Sequence, residues 1–424
     1  MDELKNKNKK IRLFLTALIG FALVCVLQYF DHAINAQDTT IFAFSYKYGF
    51  ISRGLLGTVW GFADKILPFS IMNFEAIYGF TGFVTFFFFV LLYLWYYRCM
   101  KKCKAVHLKI MQDLIVLLSV FSFPTFVAEE NFGRLDVYLM IFTILCCILL
   151  IEEKAEWLIV PISVVCVLLH QGFVFMNVNI ILVLLVYKIL TKDGKMRRKY
   201  TGIFLCTFLS ISVFFLYFEF FSHVNGTEIY GEVVTLAKSL SQDGKSFAES
   251  LVNHEILGKD VFADEYIYHL INYIQTPMFV VLYLPYLIIY VCFFRKLLRG
   301  QRGNQRLAYL AVLLGAVTVV PEMILKVDYG RYVYAVIFYY MGTVLCLMAM
   351  GDEHVCAQLE EMKVRIREKV PAAGLLLMYP LVLMPFGDLH IFEKVWKIVE
   401  NHPIWPQIWQ NEALRGIIMG LFGH

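Results

Sequence analysis

The chain has 424 residues, of which 59% are hydrophobic and 17% charged. A soluble domain carries about half apolar and a quarter charged residues, so this composition excludes an ordinary soluble enzyme. The net charge of +4 says little by itself, and without a P-loop or glycine-rich phosphate cradle neither nucleotide use nor a nucleic-acid partner is expected.

The apolar residues gather in stretches of roughly 20, enough to cross a hydrocarbon core of about 30 Å. In lipid the backbone must satisfy its own hydrogen bonds, so such stretches are helices. The alternation of a membrane β-barrel is absent. The expected fold is all-α: a polytopic membrane helix bundle of about 11 transmembrane helices, one integral membrane unit over 1–424.

In chain order, the basic "KNKNKKIR" precedes a first apolar run, 12–30, long for a signal peptide and followed by a poor cleavage site, Ile34 to Ala36. It reads as an uncleaved anchor. The first outside loop, 31–73, contains an apolar but glycine-broken piece, Phe50 to Ala63, expected to be a re-entrant or surface-lying helix. Further spans are expected at 74–97, 108–126, 136–151, 157–170, 172–190, 201–219, 274–294, 307–325, 332–350 and 372–387. The fifth, 157–170, is short for a full crossing. Segment 220–273 is an outside helical insertion. In 352–370, Val355, Leu359, Met362 and Ile366 share one face, as in a cytoplasmic amphipathic helix. The tail 388–424 carries Trp396, Trp405 and Trp409, typical of a membrane boundary.

With the N-terminus inside, the inner loops include "RCMKKCK", "KDGKMRRK" and "RKLLRGQRGNQR", as the positive-inside rule requires. All 10 cysteines then fall in spans or inner loops, where a disulfide framework is not expected. Neither broken helices nor internal repeats are evident.

The unusual polar residues collect at the outer ends. Asp31 and Asp38 follow the first span, Arg53 lies in the first loop, and Glu129, Glu130, Arg134 and Asp136 fill the second. His170 and Gln171 cap the fifth span, Glu322 lies in the ninth, and Asp328 and Arg331 follow it. The strings "GRLD" and "DYGR" place a Gly-Arg beside an aspartate at the mouth of an apolar helix twice. Taken singly, each has an ordinary reading: snorkelling arginine, helix-capping aspartate, satisfied buried histidine, local ion pairs Arg134–Asp136 and Arg331–Asp328. Together on one leaflet they describe a polar cleft. Guanidinium groups hold phosphate bidentately, and carboxylates serve as bases or hold a divalent ion. The expected partners are membrane lipid and a polyprenyl-linked sugar or glycan. Arg53, Arg134 and Arg331 would bind phosphate, Asp136 and Asp328 would orient arginines, and Asp38 is preferred over Asp31 as base.

This layout resembles the GT-C class of membrane glycosyltransferases over roughly the first 200 residues. That class has a long first outside loop with early acidic residues and surface-lying helices, and often a second acidic site after span three. Asp31 and Asp38 match the first place, "SRGLLGTVWGFA" the surface helix, and Glu129-Glu130 the second. A tight acidic pair after span one is lacking, as is a large C-terminal outer domain. The resemblance implies sugar transfer from a polyprenyl phosphate at the outer face of a bacterial cytoplasmic membrane, in cell-envelope glycan synthesis. It leaves the need for a divalent cation open. A Wzy-type polysaccharide polymerase and a lipid-linked glycan transporter or flippase are the alternatives.

Overall fold

The computed structural model describes residues 34, 36–102, 132–222, 227–242, 249, 251–253, 288, 290–325 and 329–369. All regular structure among them is helical. The segment expected to form the first outside loop holds a short helix, α1 (Ala36–Thr40), two 3-10 turns, then α2 (Gly54–Ile66). The long α3 (Phe74–Lys102) follows. Next come α4 (Asp136–Glu152), α5 (Ile159–Leu169), the single turn α6 (Phe173–Met176), α7 (Val178–Thr191) and α8 (Gly194–Phe220). The segment expected to be an outside insertion contributes α9 (Thr227–Leu240). The rest is α10 (Gly303–Leu314), α11 (Val320–Leu325), α12 (Tyr329–Ala349) and α13 (Glu353–Lys369).

Helix α7 is the hub, packing against α4, α8, α10 and α12. It is apolar on every face over residues 180–186, as suits a central helix, with the buried Asn179 and Lys188 toward its two ends. The outer helices are apolar on both faces. Along α8, Leu205, Phe208, Leu209, Val213, Leu216 and Phe220 face outward at helical spacing while Tyr200, Ile203, Ile211 and Phe218 are buried. Among the described residues, three stretches are long and apolar enough to cross a membrane: Phe74–Leu92, Gly194–Phe220 and Gly303–Glu322. A fourth arises if the bent pair α12–α13 counts as one. The expected spans 12–30, 108–126 and 372–387 and most of 274–294 lie outside the described residues, as does the tail 388–424.

Two expected spans are broken, contrary to the sequence reading. The sixth is interrupted at Asn177, between α6 and α7. The ninth passes from α10 through a 3-10 segment, Gly315–Val319, into α11. The breaks meet: Asn179 Nδ2 donates to Thr318 Oγ1 at 3.0 Å, and Thr318 Oγ1 donates to the Phe175 carbonyl at 3.1 Å. At the second break, the Tyr339 and Tyr340 hydroxyls of α12 donate to the carbonyls of Val312 and Leu313, at 2.6 and 2.8 Å. Backbone groups released from a helix ladder inside an apolar bundle need such replacements. A side chain at Gly315 would run into the Tyr339 ring.

Helices α12 and α13 meet at 116°, which turns α13 across the end of the bundle. The hinge is held by Asp352, which accepts the Val355 N–H at 2.9 Å and the hydroxyls of Tyr187 and Tyr309 at 2.6 and 2.8 Å. Lys188 pairs with Glu153, and Lys199 with Glu156, at this same end. The opposite end carries Asp136–Arg331, Ser52–Gln171, Gln171–Glu219 and Lys47–Glu232.

Candidate functional site

At that opposite end, the first loop is folded into the bundle. Helix α5 is short, and residues 46–53 occupy the space beyond it: Phe50 packs on Phe214, Tyr217 and Phe218 of α8, and Ser52 Oγ donates to Gln171 Oε1 at 2.6 Å. Gln171 Nε2 in turn donates to Glu219 Oε1 at 2.9 Å. The expected surface helix begins at Gly54 rather than Phe50, because Gly49 (φ 123°) and Arg53 (φ 59°) kink the chain before it. A left-handed non-glycine residue costs of order 1–2 kcal/mol, and here it is Arg53, the residue just before α2. Helix α2 buries Leu56 and exposes Val59, Phe62 and Ile66, as a helix lying in an interface would.

The two Gly-Arg motifs meet across the bundle. Arg331 of "DYGR" grips Asp136 of "GRLD" with both branches, Nη2 to Oδ2 at 2.7 Å and Nε to Oδ1 at 3.3 Å. Both residues are buried. Asp136 thus pairs across the bundle with Arg331, where the sequence also offered its neighbour Arg134; Asp328, the local partner read for Arg331, lies outside the described residues. Asp136 and Arg331 both start helices at the same end, so the forked guanidinium reaches across rather than along the chain.

Asp38 lies on α1 and is 6% exposed. Burial pushes its carboxyl up to about 7, against the pull of the Arg134, Arg331 and Arg53 guanidiniums. One cluster therefore gathers Asp38, Arg53, Arg134, Asp136 and Arg331. Gly133, at φ 101°, makes the close approach possible: a Cβ there would stand 3.3 Å from Asp38 Cβ and 3.2 Å from Ile34 Cγ2. So the first glycine seats a loop against the aspartate. The second, Gly330, is in the first turn of α12. Helix α9 packs on α1 and is tied to the loop by Lys47–Glu232 at 2.7 Å and by the Tyr48 hydroxyl on Glu232 at 3.1 Å.

Other expected site residues fare differently. His170 ends α5, and its Nδ1 accepts the Gly172 N–H at 2.8 Å, shaping the turn into α6. Gln171 anchors the first loop through Ser52. Glu322 is half-buried on α11. Asp31, Glu129, Glu130 and Asp328 lie outside the described residues. Among the described residues no group of three or more His, Cys, Asp or Glu is placed to hold a metal ion. Sequence reading missed Tyr138, buried in the first turn of α4 within electrostatic reach of Asp38.

The arrangement offers a carboxyl that exchanges its proton near neutral pH beside forked cations suited to phosphate. No family model, curated protein or solved structure matches the chain.

Proposed function

We propose that the chain is a multi-pass membrane glycosyltransferase, with about 11 spans and the N-terminus inside, that uses a polyprenyl-phosphate-linked sugar at the outer face of a bacterial cytoplasmic membrane. The supporting observation is Asp38, buried among Arg53, Arg134 and Arg331. The guanidiniums would hold the donor phosphate and stabilise it as it leaves. Asp38 would accept the proton of the attacking hydroxyl, which requires a contact of about 3 Å or one bridging water. Asp136 would fix Arg331. The outward-facing apolar residues of α8 and the exposed face of α2 support the membrane setting. So do the ion pairs Lys47–Glu232, Asp136–Arg331, Lys188–Glu153 and Lys199–Glu156: each joins residues that the charge rule assigns to the same side.

A Wzy-type polymerase would use the same proton transfer and differ in its product. A lipid-linked glycan transporter is the second reading, favoured by the contact between the two broken helices. Extraction of lipid-linked glycans from cells with and without the gene separates these readings. A single lipid-linked unit accumulating at the outer leaflet is expected for a transferase or polymerase. Accumulation confined to the inner leaflet would instead make the protein a transporter. Arg134→Lys should keep part of the activity and Arg134→Ala little; equal tolerance of both at normal protein level would remove the phosphate role.

A further inference from the structure

Tyr138 stands two residues after Asp136 and is 8% exposed. Its ring lies 6.3 Å from that of Phe80 on α3, and Phe80 packs on Phe42, which follows Asp38 closely in the first loop. The Tyr138 hydroxyl is buried with no hydrogen-bond partner. Several other tyrosines of the bundle have acceptors: Tyr187 and Tyr309 bond Asp352, and Tyr339 and Tyr340 bond the carbonyls of Val312 and Leu313, whereas the Tyr46 hydroxyl, like that of Tyr138, is buried without one. A buried hydroxyl left unbonded costs about 1–3 kcal/mol, which a bound ligand would recover.

The ligand must suit both neighbours. A phenol offers a proton and the Asp38 carboxylate accepts one. With Asp38 ionised, as its role as base requires, a fully deprotonated phosphate only accepts and an ammonium only donates, so neither satisfies the two together. A hydroxyl donates and accepts at once. We propose that Asp38 and Tyr138 form a subsite for one hydroxyl of a neutral sugar, which donates to the carboxylate and accepts from the phenol. The inference rests on the glycosyl-transfer reading and assigns the acceptor end of that site, the arginines taking the phosphate end. In the transfer, the acceptor oxygen bonds to the donor's anomeric carbon as that carbon's bond to phosphate oxygen breaks. The hydroxyl proton passes to Asp38, and the polyprenyl phosphate leaves as an anion beside the guanidiniums.

The test uses the full chain in lipid nanodiscs. Saturation-transfer NMR with a panel of neutral mono- and disaccharides measures sugar binding, and titration with polyprenyl phosphate measures the other end. Tyr138→Phe should weaken sugar binding at least tenfold, as loss of a built hydrogen bond does, while polyprenyl phosphate binding stays unchanged. Arg134→Ala should do the reverse. Sugar binding within twofold of the natural protein in Tyr138→Phe overturns the inference, as does a panel in which no sugar binds the natural protein. Failure of polyprenyl phosphate to bind, with sugar binding still dependent on Tyr138, would sink the glycosyl-transfer reading and leave the hydroxyl subsite standing. Tyr138→Phe should melt no lower than the natural protein, because it removes an unbonded group. A lower melting temperature would mean that the hydroxyl is bonded within the protein, and would also overturn the inference.

Discussion

Asp38 is held by the fold at a cost that depends on pH. Its carboxyl rises from 3.8 to about 7 on burial, so folding takes up a proton between those values. Stability therefore falls as pH rises through that window, and above it the ionised group costs roughly 4 kcal/mol. Asp38→Asn should raise the melting temperature most at pH 8, less at pH 5 and little below pH 3.8, and abolish transfer at pH 5 and pH 8 alike. Transfer by the natural protein should climb with pH to a plateau above about 7; a flat acid limb would remove Asp38 as base. For Asp136 and Arg331 the expectation is structural. Cutting one partner from a buried pair costs about 3–5 kcal/mol. Asp136→Ala and Arg331→Ala should each be strongly destabilised, and the double variant should lose much less than the sum of the two. An additive double variant would argue against the pair. The sequence made the aspartates and arginines conspicuous because charge is costly in an apolar chain, yet it could not say which aspartate meets which arginine. Tyr138 was illegible for the opposite reason, since a tyrosine in an apolar helix looks like ordinary core.

Helix α2 shows how small residues position a site. A Cβ at Gly57 would sit 2.6 Å from the Phe42 carbonyl oxygen, whereas one at Gly61 meets nothing within 4 Å. Both exchanges to alanine gain helix propensity, by about 1 kcal/mol. Gly61→Ala should therefore stabilise the protein slightly, while Gly57→Ala should push α2 off the loop and reduce both melting temperature and transfer. Equal behaviour in thermal melts would mean that α2 does not pack on residues 42–44. Element boundaries near α3, α4, α8 and α12 could be read from the length of the apolar runs. The breaks at Asn177 and Gly315–Val319 could not, because their stabilisers come from other elements: Thr318 for Phe175, and Tyr339 and Tyr340 for α10. Ser52 reads as an accessible loop residue, but it is 3% exposed because the short α5 leaves room for the loop to enter.

Among the described residues, the ion pairs Lys47–Glu232 and Asp136–Arg331 fall at one end of the bundle and Lys188–Glu153 and Lys199–Glu156 at the other, the grouping expected from the charge asymmetry of the loops. Ser70 and Gly303 are exposed and belong to opposite ends in that scheme. In intact cells, a cysteine at position 70 should react with an impermeant thiol reagent, and one at position 303 should react only after the membrane is opened. Labelling of position 303 in intact cells would invert the topology and the site with it. The reach of Arg331 to Asp136 has a further meaning during synthesis, because the partners are 195 positions apart in the chain. At about 5–20 residues per second, a ribosome needs roughly 10–40 s to deliver the arginine after the aspartate. Throughout that interval the mouth of α4 holds a carboxylate awaiting its cation. Nascent chains stopped before α12 should therefore be recognised as unfinished and cleared faster in pulse-chase experiments than chains stopped just beyond it. Exchanging Asp136 for asparagine should lengthen the life of the shorter chains and shorten that of the complete protein, so a single carboxylate would report whether the last helices have arrived.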